Sequence, residues 1–181
     1  MRRLFIVVSG LPGSGKTTLA RRLADALALP LIDKDDILEQ LFDSKGVGDA
    51  AWRRALSRES DVIFQRKAAT SDGAVLVSFW RLPGMATDSG TPTEWLAEIR
   101  GHIVHVQCTC KPEVAAARFD KRKRHAGHLD DRTSFEARLG NIQALCRLGP
   151  LTLGPCIDVD TTQDVDFDAL VRNIQKALEL D

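Results

Sequence analysis

Short apolar, β-branched runs alternate along this chain with stretches whose apolar residues recur at three- and four-residue spacing. Runs of the first kind read as buried strands and stretches of the second as amphipathic helices. Their alternation predicts an α/β fold built on a parallel sheet. The first strand is read over Leu4–Ser9. After a glycine-rich turn, Leu19, Leu23 and Leu27, with Ala20 and Ala24, share one helical face. A short second strand over Leu29–Asp33 leads into a helix carrying Ile37, Leu38, Leu41 and Phe42. Gly46 and Gly48 open a turn before a longer helix over Ala50–Ala69, with Trp52, Ala55, Leu56, Val62 and Ile63 on its apolar side.

The third strand is read over Ala74–Trp80, followed by a flexible loop over Leu82–Pro92. Thr91-Pro-Thr-Glu94 matches a capping box with proline at the first helical position, which predicts a helix over Glu94–Arg100. A fourth strand over Ile103–Cys108 and a helix from Pro112 precede a strongly polar stretch over Lys121–Asp131. Thr133-Ser-Phe-Glu136 is predicted to cap a helix through Cys146. A fifth strand over Cys156–Val159 and a last helix over Phe167–Leu180, with Leu170, Val171, Ile174 and Leu178 inward, complete the pattern. No repeat, low-complexity tract or linker interrupts it, so residues 1–181 read as a single domain.

Composition changes this picture in three respects. Lysine plus arginine balances aspartate plus glutamate at 25 each, which disfavours a globally basic nucleic-acid binder. No apolar run reaches the length of a membrane span, and the one after Met1-Arg-Arg breaks at Gly10 and Pro12, too early for a secretory signal. The four cysteines, Cys108, Cys110, Cys146 and Cys156, are expected to be free thiols in a reducing, cytoplasmic setting, since Cys108-Thr-Cys110 has neither zinc-finger nor thioredoxin spacing.

The strongest chemical signal is Gly10-Leu11-Pro12-Gly13-Ser14-Gly15-Lys16-Thr17, a Walker A pattern between an apolar strand and an amphipathic helix. Glycines let the backbone wrap closely, so that successive N–H groups point at phosphate oxygens, and the helix start adds its positive dipole end. Lys16 is placed at the β- and γ-phosphates of ATP, Thr17 at Mg²⁺, and Thr18 near the α-phosphate. No guanine-reading Asn/Thr-Lys-x-Asp segment occurs, and the third strand ends without an acid. The acids stand after the second strand instead, as Asp33-Lys-Asp35-Asp36. At the carboxyl edge of a parallel sheet they face bound phosphates, where one takes a proton from an attacking hydroxyl or holds Mg²⁺ through water. Asp36 reads as a simple helix cap.

The loop through Thr18, together with Ile32-Asp-Lys-Asp-Asp-Ile37, resembles the small P-loop kinases: polynucleotide 5′-hydroxyl kinases, zeta-toxin-like kinases, chloramphenicol phosphotransferase, and shikimate and gluconate kinases. The resemblance implies a three-layer αβα sandwich with a five-stranded parallel sheet in the order 2-3-1-4-5. It implies a lid as well, here over about residues 118–133, where Ala117–Asp130 ends in Arg-His-x-Gly-His-x-Asp. In the phage-type polynucleotide kinases the first aspartate of a similar pair is the base, which implies Asp35. In shikimate-kinase-like members an Asp-x-Asp serves substrate and metal, which implies Asp33, through water, and Asp35. Arg118 and Arg122, one turn apart, are implied as lid arginines on the transferring phosphoryl group, and His125 and His128 as parts of a lid turn. Leu38 stands where the phage-type enzymes carry an arginine, which favours a small-molecule acceptor over a nucleic-acid end. Trp80 and Arg81, at the end of the third strand, are expected to meet that acceptor, with Phe42, Trp52 and Phe79 as further candidates. The implied reaction is transfer of the γ-phosphate of Mg²⁺·ATP to a hydroxyl. The alternatives are an ATPase or regulatory module without an acceptor, and a polynucleotide end kinase.

Overall fold

Alternation within the first strand sets the layers. The structure, a computed structural model, describes residues 3–179. Strand β1 (Leu4–Gly10) turns Phe5 and Val7 to one side of the sheet and Ile6 and Val8 to the other, and all four are fully buried. Helices α1 (Lys16–Leu27) and α6 (Phe167–Glu179) cover the second side through Leu19, Leu23, Leu170 and Ile174. Helix α3 (Ala50–Thr70) and a turn over Glu94–Glu98 cover the first side through Phe64 and Leu96.

The remaining elements are β2 (Leu31–Asp33), α2 (Lys34–Lys45), β3 (Gly73–Val77), β4 (His102–Thr109), α4 (Pro112–Lys121), α5 (Phe135–Arg147) and β5 (Cys156–Asp160). The sheet runs β2-β3-β1-β4-β5, with every pair parallel. That is the three-layer αβα order implied by the resemblance. Asp33 lies beside Val77 in register, and Gly10 beside Cys108, so the end of β2 and the glycine loop emerge on the same edge. No helix among the described residues is long and apolar enough to cross a membrane.

Several local expectations are corrected. The predicted capping box at Thr91 does not form, and the segment is a five-residue 3₁₀ turn, Glu94–Glu98. Thr91 is instead drawn into the core, where its hydroxyl lies 2.6 Å from that of Ser78 and its backbone bridges Trp80. The cap of α5 is Ser134 rather than Thr133, its hydroxyl accepting from the Ala137 N–H at 3.2 Å. Helix α3 does not bury Trp52 or Val62, which are 40% and 66% exposed. Its inner face is Leu56, Ser60, Asp61, Phe64 and Ala68, on which Asp61 makes a buried ion pair with Lys34 of α2 at 2.7 Å. Leu180 lies outside the described residues.

Candidate active site

The glycine loop is shaped by backbone alone. The Ser14 N–H donates to the Leu11 carbonyl at 3.0 Å, and α1 starts at Lys16, with Gly15 in a left-handed conformation at its N-cap. Gly13 is required twice over: its φ is +79°, and a Cβ there would stand 2.0 Å from the Ala115 carbonyl oxygen of α4. The loop holds polar groups that nothing among the described residues satisfies. Among those residues Ser14 Oγ is buried without a partner, and the Lys16 ammonium reaches only the Leu11 carbonyl, at 3.3 Å. Burial, opposed by Asp35, holds the Lys16 pKa below its ordinary value. An unpaired, desolvated ammonium beside a helix N-terminus fits the phosphates of ATP, with Thr17 and Thr18 in the first helical turn beside it.

Asp33 caps α2, accepting from the Asp35 N–H at 2.9 Å. It is 5% exposed, and burial, reinforced by the neighbouring Asp35 charge, lifts its pKa to about 6. Burial also pulls the Asp35 pKa upward, but the cations around it, Arg124 first, prevail and hold it below the ordinary value. The Arg124 guanidinium pairs with Asp35 at 2.5 Å and with Asp130 at 3.2 Å. Two neighbouring acids thus titrate in opposite directions. Asp36 stays on the surface, 4.0 Å from Arg21.

A family model described as an AAA domain, a P-loop fold, matches residues 5–145. The chain belongs to the small P-loop kinase family. It is similar to a shikimate kinase of Corynebacterium jeikeium strain K411, at 30% identity over 156 residues, spanning 77% of this chain and 78% of that protein. A cytidylate kinase of Pyrobaculum neutrophilum is 27% identical over 138 residues, spanning 76% of this chain and 66% of that protein. Among solved structures, a candidate kinase from Chloroflexus aurantiacus J-10-fl superposes with a TM-score of 0.81 at 30% identity, covering 97% of this chain and 98% of that one. P-loop kinases of this kind use ATP with Mg²⁺, the cofactors expected from the loop.

The segment expected to form a lid is anchored more firmly than its polar composition suggests. His125 stacks on Phe42 and His128 meets the same ring edge-on, at 5.3 and 5.5 Å between centroids. Each imidazole also reaches an acid of α2, His125 to Asp43 at 3.2 Å and His128 to Glu39 at 2.9 Å. Gly127 fits against Phe42 so closely that a Cβ would lie 2.4 Å from the ring. Phe42 is therefore the seat of the His125–His128 segment and is 2% exposed.

The two expected lid arginines do not act together. Helix α4 ends at Lys121 and Arg122 is already extended, so the shared helical face of Arg118 and Arg122 does not exist. Arg118 donates instead to the Thr161 carbonyl at 2.7 Å. Arg122 lies over Phe119 at 4.6 Å, within electrostatic reach of Lys16 and Asp35. Arg124, which the sequence reading did not single out, is the arginine on Asp35. Its signal was in the Arg-His-x-Gly-His-x-Asp run, whose first and last residues, Arg124 and Asp130, are ion-paired.

A cavity of about 760 Å³ opens beside Asp35, walled by Leu38, Phe79, Leu145 and Leu148 and by the arginines of α3. Of the residues expected at the acceptor, Phe79 lines it and Trp80 does not. Trp80 is 2% exposed, packs on Phe64 and Trp95, and donates its indole N–H to the Val8 carbonyl at 2.9 Å, which makes it a core residue. Arg81 is corrected too: it donates to the Ser89 and Thr87 carbonyls and pairs with Glu94 at 3.5 Å, bracing the loop expected to be flexible. Arg53, Arg54 and Lys34 line the cavity and were not anticipated from the sequence.

Proposed function

We propose that this kinase moves the γ-phosphate of ATP to a hydroxyl of a small, soluble acceptor in the cytoplasm, with no nucleic-acid or membrane partner. One observation carries the reading: Asp35 is electrostatically coupled to Lys16 of the phosphate loop and also lines the cavity. A carboxylate at that junction suits a hydroxyl acceptor, which must lose a proton, better than a phosphate acceptor, which it would repel.

Bound Mg²⁺·ATP supplies the phosphoryl group and the metal's charge. Gly10 to Thr18 would wrap the phosphates, Lys16 would meet the β- and γ-groups, and Thr17, with Asp33 through water, would hold the metal. Asp35 orients the acceptor hydroxyl and receives its proton as the oxygen bonds to the γ-phosphorus and the bond to ADP breaks. Arg122 and Arg124 neutralise charge on the moving group, Arg124 exchanging the Asp35 carboxylate for phosphoryl oxygens.

The test compares Asp33→Asn, Asp35→Asn and Asp36→Asn, each assayed for Mg²⁺·ATP binding and acceptor-dependent ADP release. Asp35→Asn is expected to lower turnover by about 10²–10⁴-fold while retaining ATP affinity, and Asp36→Asn to change little. An inactive Asp33→Asn beside an active Asp35→Asn moves the base to Asp33. ADP release that never depends on an acceptor replaces the kinase step with simple ATP hydrolysis.

A further inference from the structure

A second, smaller cavity, of about 250 Å³, opens beside the nucleotide loop, between Gly10 and Leu11, the end of β4 and the last turn of α5. No step of the proposed transfer uses it. Three of the four cysteines line it, Cys108, Cys110 and Cys146, and all are free thiols. Their surroundings set them apart. Cys108 is fully buried, and burial pushes its thiol up to about 12, so it stays protonated and inert. Cys110 is half-buried in the turn after β4, and Cys146 is exposed on α5.

Packing brings the last two together. Cys110, Leu11 and Leu139 all rest against the cluster of Ala115, Ala116 and Ile142. Cys146 stands four residues after Ile142, so it continues the same face of α5 one turn further on. Burial first, then Glu113 and the Cys110 sulfur, hold the Cys146 thiol above its ordinary pKa, which places the two sulfurs within electrostatic reach of one another. Cys110 also touches a group that braces the nucleotide loop. Arg118 donates to the Cys110 Sγ at 3.7 Å and to the Thr161 carbonyl at 2.7 Å. The Thr161 hydroxyl donates in turn to the Ser14 carbonyl of the loop, at 2.6 Å.

We propose that Cys110 and Cys146 form a reversible disulfide that lowers the affinity of the loop for ATP. The oxidant is a small-molecule disulfide of the glutathione type. The exposed Cys146 sulfur, as thiolate, attacks one sulfur of the oxidant. A bond to Cys146 forms, the oxidant's S–S bond breaks, and its other half leaves as a thiol with the proton that Cys146 gave up. Cys110 then attacks the Cys146 sulfur and releases the second half as a thiol with the Cys110 proton. Two protein thiols are oxidised and one small disulfide is reduced to two thiols. Once bonded to α5, the Cys110 sulfur is lost to Arg118, and the brace from Arg118 through Thr161 to Ser14 loosens. Disulfides of this transient, sensing kind are the ones that reducing compartments use.

The test equilibrates the protein with reduced and oxidised glutathione and maps its peptides without reduction by mass spectrometry. A Cys110–Cys146 cross-link, lighter than the two thiols by two hydrogens, is expected. By calorimetry the oxidised protein should bind a non-hydrolysable ATP analogue with Mg²⁺ at least about fivefold more weakly, and dithiothreitol should restore the affinity. Linkage requires the reciprocal effect: the saturating analogue should shift the thiol–disulfide equilibrium toward the thiols by the same factor. Cys146→Ser, at an exposed position, should keep the reduced protein's affinity and abolish its response to oxidation. Cys110→Ser should abolish the response too, and Cys156→Ser, outside the cavity, should leave it intact. A different pairing, glutathione retained on Cys146 without a cross-link, or a cross-linked protein of unchanged affinity each overturns the proposal. So does an affinity loss on oxidation that persists in Cys146→Ser.

Discussion

The phosphate loop and the acceptor cavity lie on the same edge of the sheet and are built on opposite plans. The loop is backbone: its shape follows from glycines at fixed places, and its free groups are N–H donors, one ammonium and one hydroxyl. The cavity is side chain: its character comes from residues of α2, α3, α5 and the loop after β3 that meet only in the folded chain. A backbone site holds what all its relatives share, here the phosphates of ATP. A side-chain site is free to differ between relatives, and the proposed function places acceptor choice there.

A substitution in the glycine loop breaks the loop side of this contrast. Lys16→Ala should leave a folded protein whose turnover is lower by about 10²–10³-fold, read as acceptor-dependent ADP release together with calorimetric ATP binding. Wild-type affinity in that mutant would mean that the ammonium is not at the phosphates.

Asp33 lies beside Asp35 and within electrostatic reach of Lys16, and its environment sets stability against function. Its folded pKa of about 6 lies above the ordinary carboxylate value of 3.8, so folding favours the protonated form. This group's favourable contribution is complete below about pH 4 and is lost as pH rises through about 6, becoming a cost of about 3 kcal/mol at most at neutral pH. Asp33→Asn keeps the cap and removes the charge. It should raise the stability of the metal-free protein at pH 7 and flatten the pH dependence between about 4 and 6, while weakening Mg²⁺-dependent ATP binding. Denaturant titrations across that range check it.

Gly127→Ala sharpens the contrast from the lid side. Its Cβ would meet the Phe42 ring at 2.4 Å, and relief of that crowding should cost about 1–3 kcal/mol. Faster hydrogen exchange over residues 122–133, with the sheet unaffected, is the expected reading. Val62→Ser, at a position 66% exposed, should change stability by less than about 0.5 kcal/mol, a baseline for the other variants.

The same division explains what could be read from the sequence. Strand order and the loop were legible because apolar period and glycine spacing are local properties, carried by segments such as Leu4–Ser9 and Gly10–Thr17. Trp80 was misplaced because alternation continues past the end of β3, sending Phe79 to the cavity and Trp80 to the core. The pairing of Arg118 with Arg122 failed because nothing in the basic run Lys121–Arg124 marks where α4 stops. Lys34 gained its meaning from its partner, and Asp61, 27 residues beyond Lys34 in the chain, was not visible as that partner.

The close seat of Gly13 under Ala115 has a mechanical consequence. The first turn of α4 rests on the nucleotide loop with no room between them, so the helix behaves as a fixed post. Any swing of the lid then pivots where the post ends, at Lys121, and at Ser134, where α5 begins. Pairs of spin labels on exposed positions can show this: the separation between Glu113 and Asp25 should stay constant as nucleotide comes and goes, while that between Lys123 and Asp25 changes. On the proposed reading, Arg122 and Arg124 lie just beyond the pivot on a short arm, and a small rotation would carry Arg124 from the Asp35 carboxylate to phosphate.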